Sequence, residues 1–167
     1  MAQLSQGAAS KPTAAERHDR ISIWRELVVA HDRLMKQFQA ELKRDFELTV
    51  AQYDALLQLT LAPGKRLQMD AVSAALLFSS GAATKLFDRL VDRGLVGRSA
   101  DPSDRRSVVV NLTDEGVDLI TRARRAHRDS IYDKVGPFAS ATERRHVEAF
   151  LHRLAAPTTA PASTPGS

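Results

Sequence analysis

Along this chain of 167 residues the apolar positions follow two different periods. From Ile21 they recur at Trp24, Val28, His31, Met35, Phe38, Leu42 and Phe46, in steps of three and four that mark one face of a long helix. Leu27 and Leu34 widen that stripe. Thr49 begins a second helix: its hydroxyl can accept from the Gln52 N–H while the Gln52 side chain reaches back, and Leu48 and Tyr53 form a hydrophobic staple across the start. Pro63-Gly64 stops it. A short third helix is predicted over Gln68 to Leu76, and Ser79 offers the N-cap of a fourth that carries Leu86, Leu90 and Val91 and closes at Gly94.

The period then changes. Leu95-Val96 and Ser107 to Leu112 read as strands, the second alternating Val108, Val110 and Leu112 with Ser107, Val109 and Asn111. Ala100-Asp101-Pro102-Ser103-Asp104-Arg105-Arg106 between them is a polar hairpin tip. Thr113 caps a fifth helix with Asp114 and Glu115 in its positive first turn, and it runs through Leu119, Ile120, Ala123 and Ile131 to Gly136-Pro137. Ser140 and Glu143 form another capping box, opening a last helix with Val147, Phe150, Leu151 and Leu154 on one side. The predicted order is α-α-α-α-β-β-α-α, a mainly α fold with a two-stranded β-wing.

Composition narrows the function. The length suits one domain, and an apolar share of 43% with only 5% aromatic residues favours a helical core of Leu, Val, Ile and Ala over a β-sandwich. With no cysteine there is no disulfide, no Cys-ligated zinc and no thiol switch. Neither a signal-peptide stretch nor an apolar run of roughly 18 residues is present, so the expectation is a cytoplasmic protein with no membrane role. Residues 1–16, and 155–167 with their three prolines, are expected to be disordered tails flanking a folded unit at 17–154.

Lys and Arg number 24 against 20 for Asp and Glu, a formal charge of +4 that suits a polyanion without identifying one. Location decides. The fourth helix, Ser80 to Arg93, opens with Ser79 as cap and then Ser80, Gly81, Ala82, Thr84 and Lys85, with Arg89 one turn on: small, hydroxylated and cationic side chains able to approach base edges and phosphates. Taken alone it would be an ordinary solvated face. Beside a hairpin tip bearing Arg105 and Arg106 it forms a winged helix-turn-helix, whose second helix enters the major groove of duplex DNA while the wing meets phosphates. Asp104 is placed to orient Arg106.

Residues 20–154 resemble the MarR family of transcription regulators. Residues 79–90, followed by Arg93-Gly94-Leu95-Val96, are similar to that family's recognition helix; residues 101–106, followed by Leu112-Thr113-Asp114-Glu115-Gly116, are similar to its wing and the cap of its fifth helix. The resemblance implies a homodimer whose terminal helices, 17–48 and 113–154, interlock so that two DNA-binding units, 49–112, meet a palindromic operator. It also implies that Arg106 enters the minor groove with Asp104 as its carboxylate partner, that Arg105 meets phosphate, and that a small aromatic or anionic effector releases a repressor from DNA. Independently, a helix from Arg20 to Phe46 carries more apolar face than one small domain covers.

Trp24 and His31 share that face. They are either packing or one wall of an effector pocket in which Trp24 and Tyr53 stack on an aromatic ring and His31 or Arg25 pairs its charge. No cofactor or metal is expected. An enzyme finds no support: His127, His146 and His152 fit no metal-pair spacing, and Ser79-Ser80-Gly81 opens a helix without a preceding buried strand, unlike a nucleophile elbow. The remaining alternative is a winged-helix protein-interaction module without DNA binding, against which the arginine-bearing tip argues.

Overall fold

The structure is a computed structural model that describes residues 13–76, 78–101 and 107–156. Helix α1 (Ala14–Phe46) leads into α2 (Val50–Leu61), strand β1 (Arg66–Gln68), α3 (Met69–Ala75) and α4 (Ser80–Asp92). Strands β2 (Val96–Ala100) and β3 (Val108–Leu112) follow, then α5 (Asp114–Val135) and α6 (Ala141–Ala155). The predicted order holds with one addition. The wing is not a lone hairpin, because β1 pairs with β3 and makes a three-stranded antiparallel sheet of order β1-β3-β2. Arg66-Leu67-Gln68 is too short to show a period of its own; its strand form comes from the register Leu67↔Val110, which gives its backbone groups partners.

Several boundaries move. Ala14-Ala15-Glu16, assigned to the tail, are helical, as residues of high helix propensity extend α1 toward the N-terminus. Gln68 is the last residue of β1 and the N-cap of α3. β2 runs to Ala100, longer than Leu95-Val96, and the loop is closed by Asp101 N–H donating to the Ser107 carbonyl at 2.9 Å. The tip residues 102–106 lie outside the described residues.

Local chemistry sets the element ends as read from sequence. Thr49 and Gln52 form the capping box of α2, and Ser140 and Glu143 that of α6. Thr113 Oγ1 accepts from the Gly116 N–H at 3.0 Å. Gly94, at φ 71°, closes α4: its N–H donates to the Val91 carbonyl at 2.8 Å and the Leu95 N–H to that of Leu90 at 3.0 Å. Chain end α1 is less ordinary, since Glu47, not a glycine, takes φ 55° there and delivers Leu48 into the core with no exposed area.

The chain forms two compact units, Met1–Arg125 and Ala126–Ser167, with α5 shared between them. The core lies in the first: Leu42, Leu48, Leu56, Leu59, Val72, Phe87, Leu90, Val110 and Ile120 pack together, drawn from α1, α2, α3, α4, the sheet and α5. In the second unit no described residue is buried, and Ile131, Tyr132, Val135, Phe138, Val147, Leu151 and Leu154 are exposed. The N-terminal half of α1 behaves likewise: Phe38 and Leu42 are buried, whereas Ile21, Trp24 and Val28 of the same stripe are exposed. No helix among the described residues is long and apolar enough to cross a membrane.

Candidate nucleic-acid interface

α3 and α4 are joined by a tight turn, closed by the Phe78 N–H donating to the Ser73 carbonyl at 3.0 Å. Ser73 is itself buried, its hydroxyl donating to the Met69 carbonyl at 2.8 Å, so the turn leaves a fixed base. Ser79 caps α4 by accepting from the Ala82 N–H. The helix is then sorted by its period. Ala83, Phe87 and Leu90, at i, i+4 and i+7, have no exposed area and anchor α4 in the core.

Gly81, Ala82, Thr84, Lys85 and Arg89, turned away from that stripe, are exposed, as is Ser80, which stands in line with the stripe but opens the helix. Thus every candidate DNA contact named from sequence on this helix, with the cap Ser79, is exposed. Gly81 is informative because a Cβ built there would meet nothing within 4 Å. Nothing within the described structure requires a glycine there, although one inside a helix costs about 1 kcal/mol against alanine. A backbone free of side-chain bulk suits close approach by something outside the chain. Thr84 is exposed and turns its hydroxyl back to the Ser80 carbonyl at 2.9 Å. Lys85 and Arg89 have no carboxylate partner among the described residues.

The wing stands beside this face. Arg98 on β2 reaches α4, where it donates to the Asp88 carboxylate and to the Thr84 carbonyl. At the wing base, Gln68 Nε2 donates to Asp101 Oδ2 at 2.7 Å, tying β1 to the start of the tip. Asp104, Arg105 and Arg106 lie outside the described residues. At its other end α4 is held by Arg93, whose guanidinium donates to the carbonyls of Glu47 at 2.8 Å and Phe46 at 3.2 Å, the last groups of α1. Sequence reasoning missed Asp88, Arg93, Arg98 and Gln68 as contributors, because their partners are distant in the chain and no local spacing announces them.

The four residues named for an effector pocket divide. Trp24, Arg25 and His31 are exposed on α1, with Arg25 paired to Glu26 at 3.2 Å. Tyr53 is in the core, 6% exposed, and burial raises its phenol above the ordinary value, partly countered by Arg124 nearby. Trp24 precedes the end of α1 by about 33 Å of helix axis at 1.5 Å per residue. Within one chain, therefore, Trp24 and Tyr53 are not stacking neighbours.

Comparison with known proteins bears on this arrangement. A profile of the MarR family matches residues 46–107, from the end of α1 to the start of β3. The HTH-type transcriptional regulator PecS of Dickeya dadantii (strain 3937) is 39% identical over 80 residues, a match spanning 48% of this chain and 48% of that protein, about half the length of the relative. The multiple antibiotic resistance protein MarR of Escherichia coli (strain K12) is 26% identical over 123 residues, 74% of this chain and 81% of that one. Among solved structures, Sco3205, a MarR family transcriptional regulator from Streptomyces coelicolor in complex with DNA, superposes with a TM-score of 0.76 at 25% identity. That superposition covers 93% of this chain and 98% of the other.

Proposed function

We propose that this chain is a winged-helix transcriptional regulator of the MarR family, whose profile matches residues 46–107, and that it binds a palindromic site in duplex DNA as a cytoplasmic homodimer. The observation that carries this reading is the outward side of α4: a row of small, hydroxylated and cationic residues around an uncrowded glycine, beside a wing. Such a helix fits a major groove, where small side chains let the backbone come close and Lys85 and Arg89 meet phosphates or guanine edges. Arg105 and Arg106, which follow β2 in sequence, would supply further phosphate and minor-groove contacts. The likeness over nearly the whole chain to a regulator described in complex with DNA supports the same use.

The homodimer rests on uncovered apolar surface. The N-terminal half of α1 and the whole described part of the second unit display large hydrophobic side chains to solvent, a pattern that calls for a partner. A second copy supplies it symmetrically and sets two α4 helices toward successive major grooves. Repression, with release by a small aromatic or anionic effector held near Trp24, Arg25 and His31, is the regulatory mode we attach to this reading.

The test is selection of fragments from the source genome by the purified protein at several salt concentrations, with its solution mass. Enrichment of a two-fold symmetric motif by a dimer is expected. A monodisperse monomer, or binding indifferent to sequence, would overturn the reading. Effector action is checked by titrating aromatic carboxylates against the complex while following Trp24 fluorescence; an unchanged complex across the set removes the proposed release.

A further inference from the structure

Arg98 lies on β2, an edge strand of the sheet: one side of β2 pairs with β3, with Arg98 opposite Val110. Its side chain crosses to α4. There Nη1 donates to Asp88 Oδ1 at 2.5 Å and Nη2 donates to the main-chain oxygen of Thr84 at 3.2 Å. Those two acceptors lie four residues apart, about one helical turn, and Lys85 falls between them in sequence. One planar guanidinium therefore grips two levels of the outward-facing helix from the first strand of the wing, a two-point hold that the single ammonium of lysine does not reproduce.

The magnitude of such a pair argues against a role in stability. The two side chains keep 29% and 48% of their area in solvent, and ion pairs at such surfaces change a folding constant by at most about fivefold. Asp88 also puts a carboxylate on the helix that faces a polyanion, which by itself disfavours binding. Geometry gives the pair another use. Base contacts require side chains held to within about 0.5 Å, and the angle between wing and helix fixes which base edges α4 reaches once the wing has met the backbone.

Building on the DNA-binding reading above, we propose that Arg98 and Asp88 are positioning residues that lock β2 to α4 and so set base preference without touching a base. The lock makes wing and helix one rigid reader. Removing either partner frees the helix to settle at more than one angle over the groove, so that discrimination falls more than affinity does.

The experiment measures the full-length protein, Arg98→Ala, Arg98→Lys, Asp88→Asn and the Arg98→Ala/Asp88→Asn pair against a half-site library across several salt concentrations. Urea denaturation and circular dichroism serve as folding controls. Each single change to Ala or Asn is expected to reduce discrimination between preferred and altered half-sites by about tenfold, the double no further, and Arg98→Lys is expected to restore less than half of it. The salt slope is expected to remain that of the parent. If Arg98 instead meets a phosphate, Arg98→Ala loses affinity equally for every half-site and about one unit of salt slope, while Asp88→Asn binds more tightly with its preference intact. That result overturns the lock, as does unchanged preference in both variants. Should Arg98→Ala fail to fold, the nearly isosteric Asp88→Asn decides by the same criteria. Hydrogen exchange without DNA separates this inference from the reading beneath it: Asp88→Asn should speed amide exchange in β2 and in the middle of α4. A parent that binds no DNA selectively defeats the regulator reading, whereas unaltered exchange defeats the lock alone.

Discussion

Replacing Gly116 by alanine sets two physical effects in opposition, and the structure decides the sign. Gly116 lies in the first turn of α5, buried, where helix propensity favours alanine by about 1 kcal/mol. A Cβ there would stand 2.1 Å from the Leu95 carbonyl oxygen, 3.1 Å from its carbon and 3.3 Å from Leu112 Cδ2. The first contact is to backbone, which cannot rotate aside. That carbonyl also accepts the Thr113 N–H at 3.2 Å, at the junction where β2, β3 and α5 meet. Relief requires a separation of about 1 Å between the start of α5 and Leu95. Overpacking of this kind costs about 1–3 kcal/mol and a weakened hydrogen bond about 1 kcal/mol. Set against the propensity gain, the net loss is about 1–3 kcal/mol. Urea denaturation at fixed protein concentration, which a self-associating protein requires, should show the midpoint falling by roughly 0.5–1.5 M. A Gly116→Ala variant as stable as the parent, or more stable, would show that the close approach of α5 to Leu95 does not exist in solution.

Other outcomes follow from single contacts. The Glu143 carboxyl is held below its ordinary value by the Ser140 hydroxyl and backbone N–H; a depressed carboxyl stabilises above the unfolded value and loses that contribution as pH falls through the folded one. Helical signal from α6 should therefore weaken in acid below the ordinary glutamate range, and Glu143→Gln should remove that pH dependence in a circular dichroism titration. Arg93→Ala, which strips the donors from the Phe46 and Glu47 carbonyls, should cost about 1–2 kcal/mol in urea denaturation; no loss would mean that water replaces the guanidinium there. Arg106→Ala should weaken DNA binding by about 1–3 kcal/mol and flatten the salt dependence by about one unit, with half-site preference largely kept. Changes at Ser80, Ala82 or Thr84 should instead alter which bases are preferred, and identical behaviour of the two sets in a half-site selection would refute the division of labour between wing and helix.

Most element boundaries could be read from sequence because the forces that set them act within a few residues. The boxes at Thr49 and Ser140, the caps Ser79 and Thr113 and the closure at Gly94 use partners three to five positions away. The outward side of α4 was legible for the same reason: a period of 3.6 places Ala83, Phe87 and Leu90 inward and leaves Gly81, Ala82 and Lys85 outside. Strand β1 was not, since three residues carry no period and their extended form is imposed by β3, more than forty positions on. Nor were the arginine contacts of Arg98 with α4 and Arg93 with α1. A charged residue on a helix or strand reads as a solvated one until folding brings an acceptor to it. Sequence gave the apolar stripe of α1 as continuous from Ile21 to Phe46, and only the tertiary structure divided it. Phe38 and Leu42 meet the core while Trp24 and Val28 extend past it into solvent, because a helix of 33 residues, about 50 Å long at 1.5 Å per residue, is longer than the small domain against which it packs.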